Sequence, residues 1–260
     1  MTALFYISGH GFGHASREVE IIHALAAEVP NLRILIRSAV NPSLLKRTLA
    51  VPFELRPGAC DTGIVQKSSI AQDDEATVRE AVRFYEGYDA AIDAEVRALR
   101  NDHVSIVVGD IAPMAFEVAE RIGAPSLAIG NFTWDWIYDT HPGLTAAAPW
   151  LLPRIRGSYR KAAGALELPF SGGFDVFGNA EPLPLVARRA SRARRDTRAH
   201  FDIAQDRPTA LLSFGGYGLP DMDLSRVDGL GDWTIVTTDR LSDAIGAIPQ
   251  NVRLISEDAA

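Results

Sequence analysis

The chain has 260 residues, 47% hydrophobic and 23% charged, the balance of an ordinary globular protein. Its net charge of −7 argues against nucleic acid as a general partner, and no apolar run approaches the roughly 20 residues that span a bilayer, which leaves peripheral membrane contact alone open. A single cysteine, Cys60, excludes an internal disulfide framework; with no signal-peptide pattern at the start, a cytoplasmic protein is expected.

Taken in order, Ala3–Ile7 reads as a first strand, and the apolar residues Val19, Ile22, Leu25, Ala26 and Val29 recur at helical spacing after it. Leu32–Ile36 is a second strand, Pro42 opens a short helix, and Val51–Leu55 is a third strand. The turn-rich stretch 57–69 shows no period and reads as a surface loop. Asp73, Asp74 and Glu75 then place acids at the start of one long helix reaching about Arg100. Val104–Val108 is strongly apolar, as a buried parallel strand should be; Pro113 opens a helix over 114–122, and Pro125–Ile129 is the next strand. This alternation predicts an α/β fold, with a mostly parallel sheet and helices on both faces.

Beyond it, a helix is expected from Trp150 to about Ala163, and the Gly- and Pro-rich stretch 170–184 reads as a linker or cleft wall. The basic segment 188–200, with arginines at 188, 189, 192, 194, 195 and 198, reads as a solvated interdomain helix. At Pro208 the pattern restarts: strand 209–214, the glycine turn Gly215-Gly216, and strands near 233–237 and 252–255. Residues 1–206 are therefore expected to form one Rossmann-like domain. Residues 207–260, too short to cover both faces of a sheet, are expected to begin a second, incomplete domain.

The stretch that organises the rest is Gly9-His10-Gly11-Phe12-Gly13-His14-Ala15-Ser16-Arg17. A strand, a glycine turn and a helix make the opening unit of a nucleotide-binding domain, where the backbone can approach a ligand and the helix N-terminus offers free N–H groups. Here the turn also carries two imidazoles. This loop, together with Asn131-Phe132-Thr133-Trp134-Asp135-Trp136-Ile137-Tyr138 and Leu212-Ser213-Phe214-Gly215-Gly216, resembles the GT-B-fold glycosyltransferases. It is closer still to the glycosyltransferase-like N-terminal domain of L-arabinokinases. The similarity runs in order over nearly the whole chain.

The resemblance implies transfer of a sugar from a UDP- or GDP-linked donor to a hydroxyl, with inversion. It places His14 as the base and Asp110, after the fourth strand, as its orienting partner; the structural alternatives are a helix-capping histidine and an N-cap aspartate. Gly9, His10, Gly11, Gly13, Arg17, Asn131, Trp134 and Asp135 are the candidate substrate contacts, with Arg17 suited to a phosphate or carboxylate. Gly215 and Gly216 are the candidates for the donor diphosphate. Aromatic runs are more often core than platform, so Trp134 carries both readings. No metal is expected, since Gly11 and Gly13 break the spacing that would let His10 and His14 share one, and no resident cofactor beyond the nucleotide-sugar co-substrate. Two other functions remain open: a non-catalytic module that binds a sugar or nucleotide, and a nucleotide-sugar epimerase. A dinucleotide oxidoreductase is disfavoured, because Gly9, Gly11 and Gly13 do not make a G-x-G-x-x-G loop and no acid ends the second strand.

Overall fold

The computed structural model describes residues 1–214, 227, 229–238 and 248–255. In chain order its elements are β1 (Thr2–Ile7), α1 (Gly13–Glu28), β2 (Arg33–Ser38), α2 (Pro42–Thr48), β3 (Glu54–Pro57), β4 (Gln66–Ser68), β5 (Ala71–Gln72), α3 (Asp74–Glu86) and α4 (Tyr88–Ala98). There follow β6 (Ile106–Asp110), α5 (Met114–Ile122), β7 (Ser126–Phe132), α6 (Trp134–Asp139), α7 (Leu144–Ala147), α8 (Leu151–Tyr159), β8 (Gly164–Gly172), β9 (Ala180–Pro182), α9 (Arg194–His200), β10 (Thr209–Leu212), β11 (Thr234–Thr237) and β12 (Val252–Leu254). The chain divides into two compact units, 1–65 with 73–188, and 66–72 with 189–260.

The first unit is built on a seven-stranded sheet in the order β3-β2-β1-β6-β7-β8-β9, parallel at every pairing. Alternation along β1 sends Leu4 and Tyr6 into one apolar cluster and Ala3, Phe5 and Ile7 into another, so both faces of the sheet are covered, as a parallel sheet requires. The strand order reverses between β1 and β6. In an open α/β sheet, that reversal leaves a crevice at the carboxyl ends of the two strands. The His10–His14 loop follows β1 and Asp110 ends β6, so the topology alone brings them together.

Several local expectations need correction. The third strand lies at Glu54–Pro57, not 51–55. The long acidic-capped helix is two, α3 and α4, interrupted at Gly87; Asp73 does cap the first, accepting a hydrogen bond from the Ala76 N–H at 2.9 Å. The aromatic stretch after β7 continues as helix α6. The stretch 170–184 is no linker: the last residues of β8 and all of β9 fall in it, and they extend the sheet.

The second unit contains a parallel three-stranded sheet, β10-β11-β12, with Ile235 and Val252 at its core, and the β4–β5 hairpin, in which Ser69 Oγ donates to the Phe214 carbonyl. The arginines at 189, 192, 194 and 195 are exposed. Arg198 is buried, its Nη1 donating to the Ala204 carbonyl and to the Arg207 carbonyl at 2.9 Å, so its charge ties down a turn.

Candidate active site

Two glycines of the loop after β1, Gly9 and Gly11, are required there for different reasons. Gly11 has φ +72°, in the left-handed region that side chains disfavour. Gly13 opens α1 and borders the cleft. A Cβ on Gly9 would lie 2.9 Å from Ala39, so this position admits only glycine without a shift. Past the turn, His14, Arg17 and Glu18 fall on successive turns of α1 and face the end of β6.

There they meet Asp110, which is completely buried. His14 Nδ1 stands 3.1 Å from each carboxylate oxygen, and Arg17 donates from Nη2 to Oδ1. Neither capping alternative holds: α1 has no side-chain cap, and the residue before α5 is Pro113. Burial alone would raise the Asp110 carboxyl, but the charges of His14 and Arg17 and the hydrogen bonds from both outweigh it and hold it below the ordinary range. An ionised Asp110 fixes the proton on Nδ1, which leaves Nε2 as the basic ring nitrogen. Arg17 also donates from Nη1 to Asn131 Oδ1 at 3.1 Å, linking the ends of β6 and β7.

Ile111, directly after Asp110, has φ +47°, a costly conformation for a β-branched residue. It is held by an antiparallel bridge to Ile7, a 2.7 Å hydrogen bond from Tyr159 Oη to its carbonyl, and the space at Gly130, where a Cβ would come within 2.5 Å of Ile111 Cγ2. The kink it makes ends β6 at the dyad.

Behind the dyad lies a carboxyl that the sequence did not reveal. The stretch 57–69 is not all surface: Cys60 is fully buried and Asp61 nearly so. Asp61 accepts from Trp134 Nε1 at 2.8 Å and from Ser8 Oγ at 3.1 Å. Burial pushes its carboxyl upward, against the pull of His14 and these two donors. Trp134 is therefore a core residue, its indole 6.2 Å from the His14 ring and 5.6 Å from His10. Asp135 also points away from the cleft, paired with Arg156 Nε at 2.8 Å. His10 sits against Gly63, where a Cβ would lie 2.7 Å from the imidazole; burial, with His14 adding to it, lowers its pKa.

Glu18 is the other missed group. It is completely buried, neither carboxyl oxygen has a hydrogen-bond partner, and the nearest cation is Arg17 Nε at 3.9 Å. Burial first, then Asp110, pushes its carboxyl well up. A carboxyl with a raised folded pKa binds its proton in the native state where the unfolded chain has lost it, so its contribution to stability is whole below the unfolded pKa of about 4.3 and declines as pH rises. Glu18→Gln should therefore match the wild type at pH 4 in urea denaturation and exceed it at pH 8. Equal stabilities at pH 8 would show Glu18 ionised at no cost.

The cleft over this cluster has a volume of about 510 Å³. One wall is polar, with His10, Gly13, His14, Arg17 and Asn131, and the other apolar, with Phe132 and the segment around Phe170. Gly9, Gly11, Trp134 and Asp135 do not line it, and Gly215 and Gly216 lie outside the described residues. Among the described residues no three His, Cys, Asp or Glu side chains stand close enough to hold a metal ion, and no helix is long and apolar enough to cross a membrane.

No protein-family profile matches the chain. Over 217 residues it is 29% identical to the L-arabinokinase of Arabidopsis thaliana, an alignment that covers 82% of this chain and 20% of that protein; the chain thus spans about a fifth of the relative's length. Among solved structures, the glycotransferase of kitacinnamycin superposes with a TM-score of 0.62 at 18% identity, covering 97% of this chain and 70% of that one. The glycosyltransferase SnogD from Streptomyces nogalater gives 0.58 at 19% identity, with 98% and 70% covered. The UGT2 of Phytolacca americana, solved with UDP-2fluoro-glucose and pterostilbene, gives 0.62 at 11% identity, with 98% and 71% covered. At these identities the likeness is one of architecture, and the chain carries a GT-B glycosyltransferase-like fold.

Proposed function

We propose that the protein transfers a sugar from a UDP- or GDP-linked donor to an acceptor hydroxyl, with inversion and with His14 as the base. The observation that carries this is the His14–Asp110 pair at the crevice between β1 and β6, with Nδ1 held by a buried carboxylate. The acceptor hydroxyl gives its proton to Nε2 as its oxygen attacks the anomeric carbon; the bond from that carbon to the diphosphate breaks, and the nucleoside diphosphate departs with the electron pair. Asp110 stays ionised and offsets the imidazolium charge. Arg17 and Asn131 border the acceptor.

In this reading Gly215 and Gly216 are the candidates for contact with the donor diphosphate, and the transfer needs no metal or resident cofactor. Donors and acceptors are small molecules, as in the UGT2 complex. The buried free thiol of Cys60 accords with the cytoplasmic location we assign.

The test is a panel of UDP- and GDP-sugars offered to the full-length gene product, following nucleotide release and the anomeric configuration of the product by proton NMR. Release from one donor, with an α-linked donor giving a β-linked product, is the expected result. A retained configuration would remove the single-displacement mechanism. Tight binding without release would instead make this a sensor built on a transferase fold, the reading that a relative named as a kinase keeps open.

A further inference from the structure

Beside the dyad, the sheet departs from regular pairing. Between two paired positions β7 runs from Gly130 to Phe132 while β8 runs from Glu167 to Gly172, so β8 carries extra residues that bulge from the ladder. Bulges of this kind re-aim side chains, often next to active sites. The bulge contains Leu168, Pro169 and Phe170. Leu168 is rooted in the apolar cluster under the sheet. Phe170 is 90% exposed, the most exposed large apolar side chain among the described residues, and Leu185 nearby in the lining is 68% exposed. Phe170 also has φ +62°, a strained conformation for a residue with a Cβ. An aromatic ring held in water by a strained backbone contributes nothing to folding. Such strain persists at functional sites.

We propose that Phe170, with Leu185 and Val186, is the platform on which the acceptor lays a flat, carbon-rich ring, and so selects hydroxyl compounds with an apolar body over polyols. The inference rests on the reading of this cleft as the acceptor site. The polar wall supports the same class. Asp110 is taken up by His14 and Arg17, and the Nη groups of Arg17 are engaged by Asp110 and Asn131. That wall suits one reacting hydroxyl better than the several of a sugar. The apolar wall, with Leu168, Pro169, Phe170, Leu185 and Val186, suits a ring.

The experiment measures binding of 2-naphthol and of methyl β-glucopyranoside to the full-length protein by calorimetry, for wild type, Phe170→Ala and Phe170→Gly, with thermal melts of each. The expected result is preference for 2-naphthol, an affinity loss of about tenfold in both variants, and a melting temperature for Phe170→Gly that equals or exceeds that of the wild type, because glycine relieves the backbone. Unchanged naphthol affinity in the variants, no naphthol binding at all, or tighter binding of the glucoside would overturn the proposal. So would a clear fall in the melting temperature of Phe170→Gly, which would make Phe170 a packing residue. His14→Ala separates this from the transferase reading. If it transfers sugar at the wild-type rate while Phe170→Ala loses naphthol, the base assignment fails and the platform stands.

Discussion

Replacing His14 with alanine should lower sugar transfer on the order of a thousandfold while leaving the fold and donor binding nearly intact. General-base catalysis by a positioned imidazole contributes about 10²–10⁴, and this one is held by two 3.1 Å contacts to Asp110. The protein should survive the change because Asp110 keeps Arg17 as its partner, so no buried charge is stranded. Asp110→Asn should act in the same direction through a different cause: the amide can hold the wrong ring tautomer. Steady-state rates with the donor found in the screen, beside calorimetric donor affinity, provide the measurement. A variant with wild-type turnover would remove the base from the mechanism.

The largest effect on stability is expected at Trp134. The indole is 1% exposed and packs against Phe132 at 5.2 Å and Tyr138 at 5.8 Å between ring centres. Trp134→Ala should cost about 3–5 kcal/mol for the lost packing and the cavity. It also leaves Asp61 Oδ2 without its donor, at about 1–3 kcal/mol more. For a unit of this size, the melting temperature should fall by on the order of 10 °C or more. Trp134→Phe divides the two causes, since it keeps most of the volume and loses the N–H. Trp136, 48% exposed, is the internal control, and its alanine variant should cost far less. If both tryptophans cost the same, the Asp61–Trp134 hydrogen bond does not hold this part of the core together.

Sequence reading found the parts of the site that lie at strand ends. The glycine loop after β1, Asp110 after a strongly apolar strand and Asn131 at the next strand's end were all legible, because a parallel sheet puts those positions on one edge whatever the details between them. Asp61 was not, because its burial comes from Trp134, far along the chain, and its own neighbours Thr62 and Gly63 read as a turn. Glu18 left a signal that was available. It sits four residues after His14 and four before Ile22, on the buried stripe of α1, where a carboxyl is out of place. Likewise Leu166 and Leu168 alternate as a strand should, and Pro169, the bulge at Phe170 and the glycines beyond obscure it. Trp134, for which the sequence leaves both the core and the substrate reading open, and Asp135, a substrate candidate through the resemblance, are both held inward by partners.

The fit of Ile111 against Gly130 also bears on how this sequence can drift. The two positions share one small space, and the first holds the turn that delivers Asp110. Among relatives that keep the aspartate, they should therefore change as a pair: a methyl group or more at 130 should appear only where 111 has lost its branched side chain, most readily to glycine or asparagine, which accept the left-handed turn. A lineage that enlarged 130 first would have displaced the carboxylate that orients His14, so the order of the two substitutions is itself constrained.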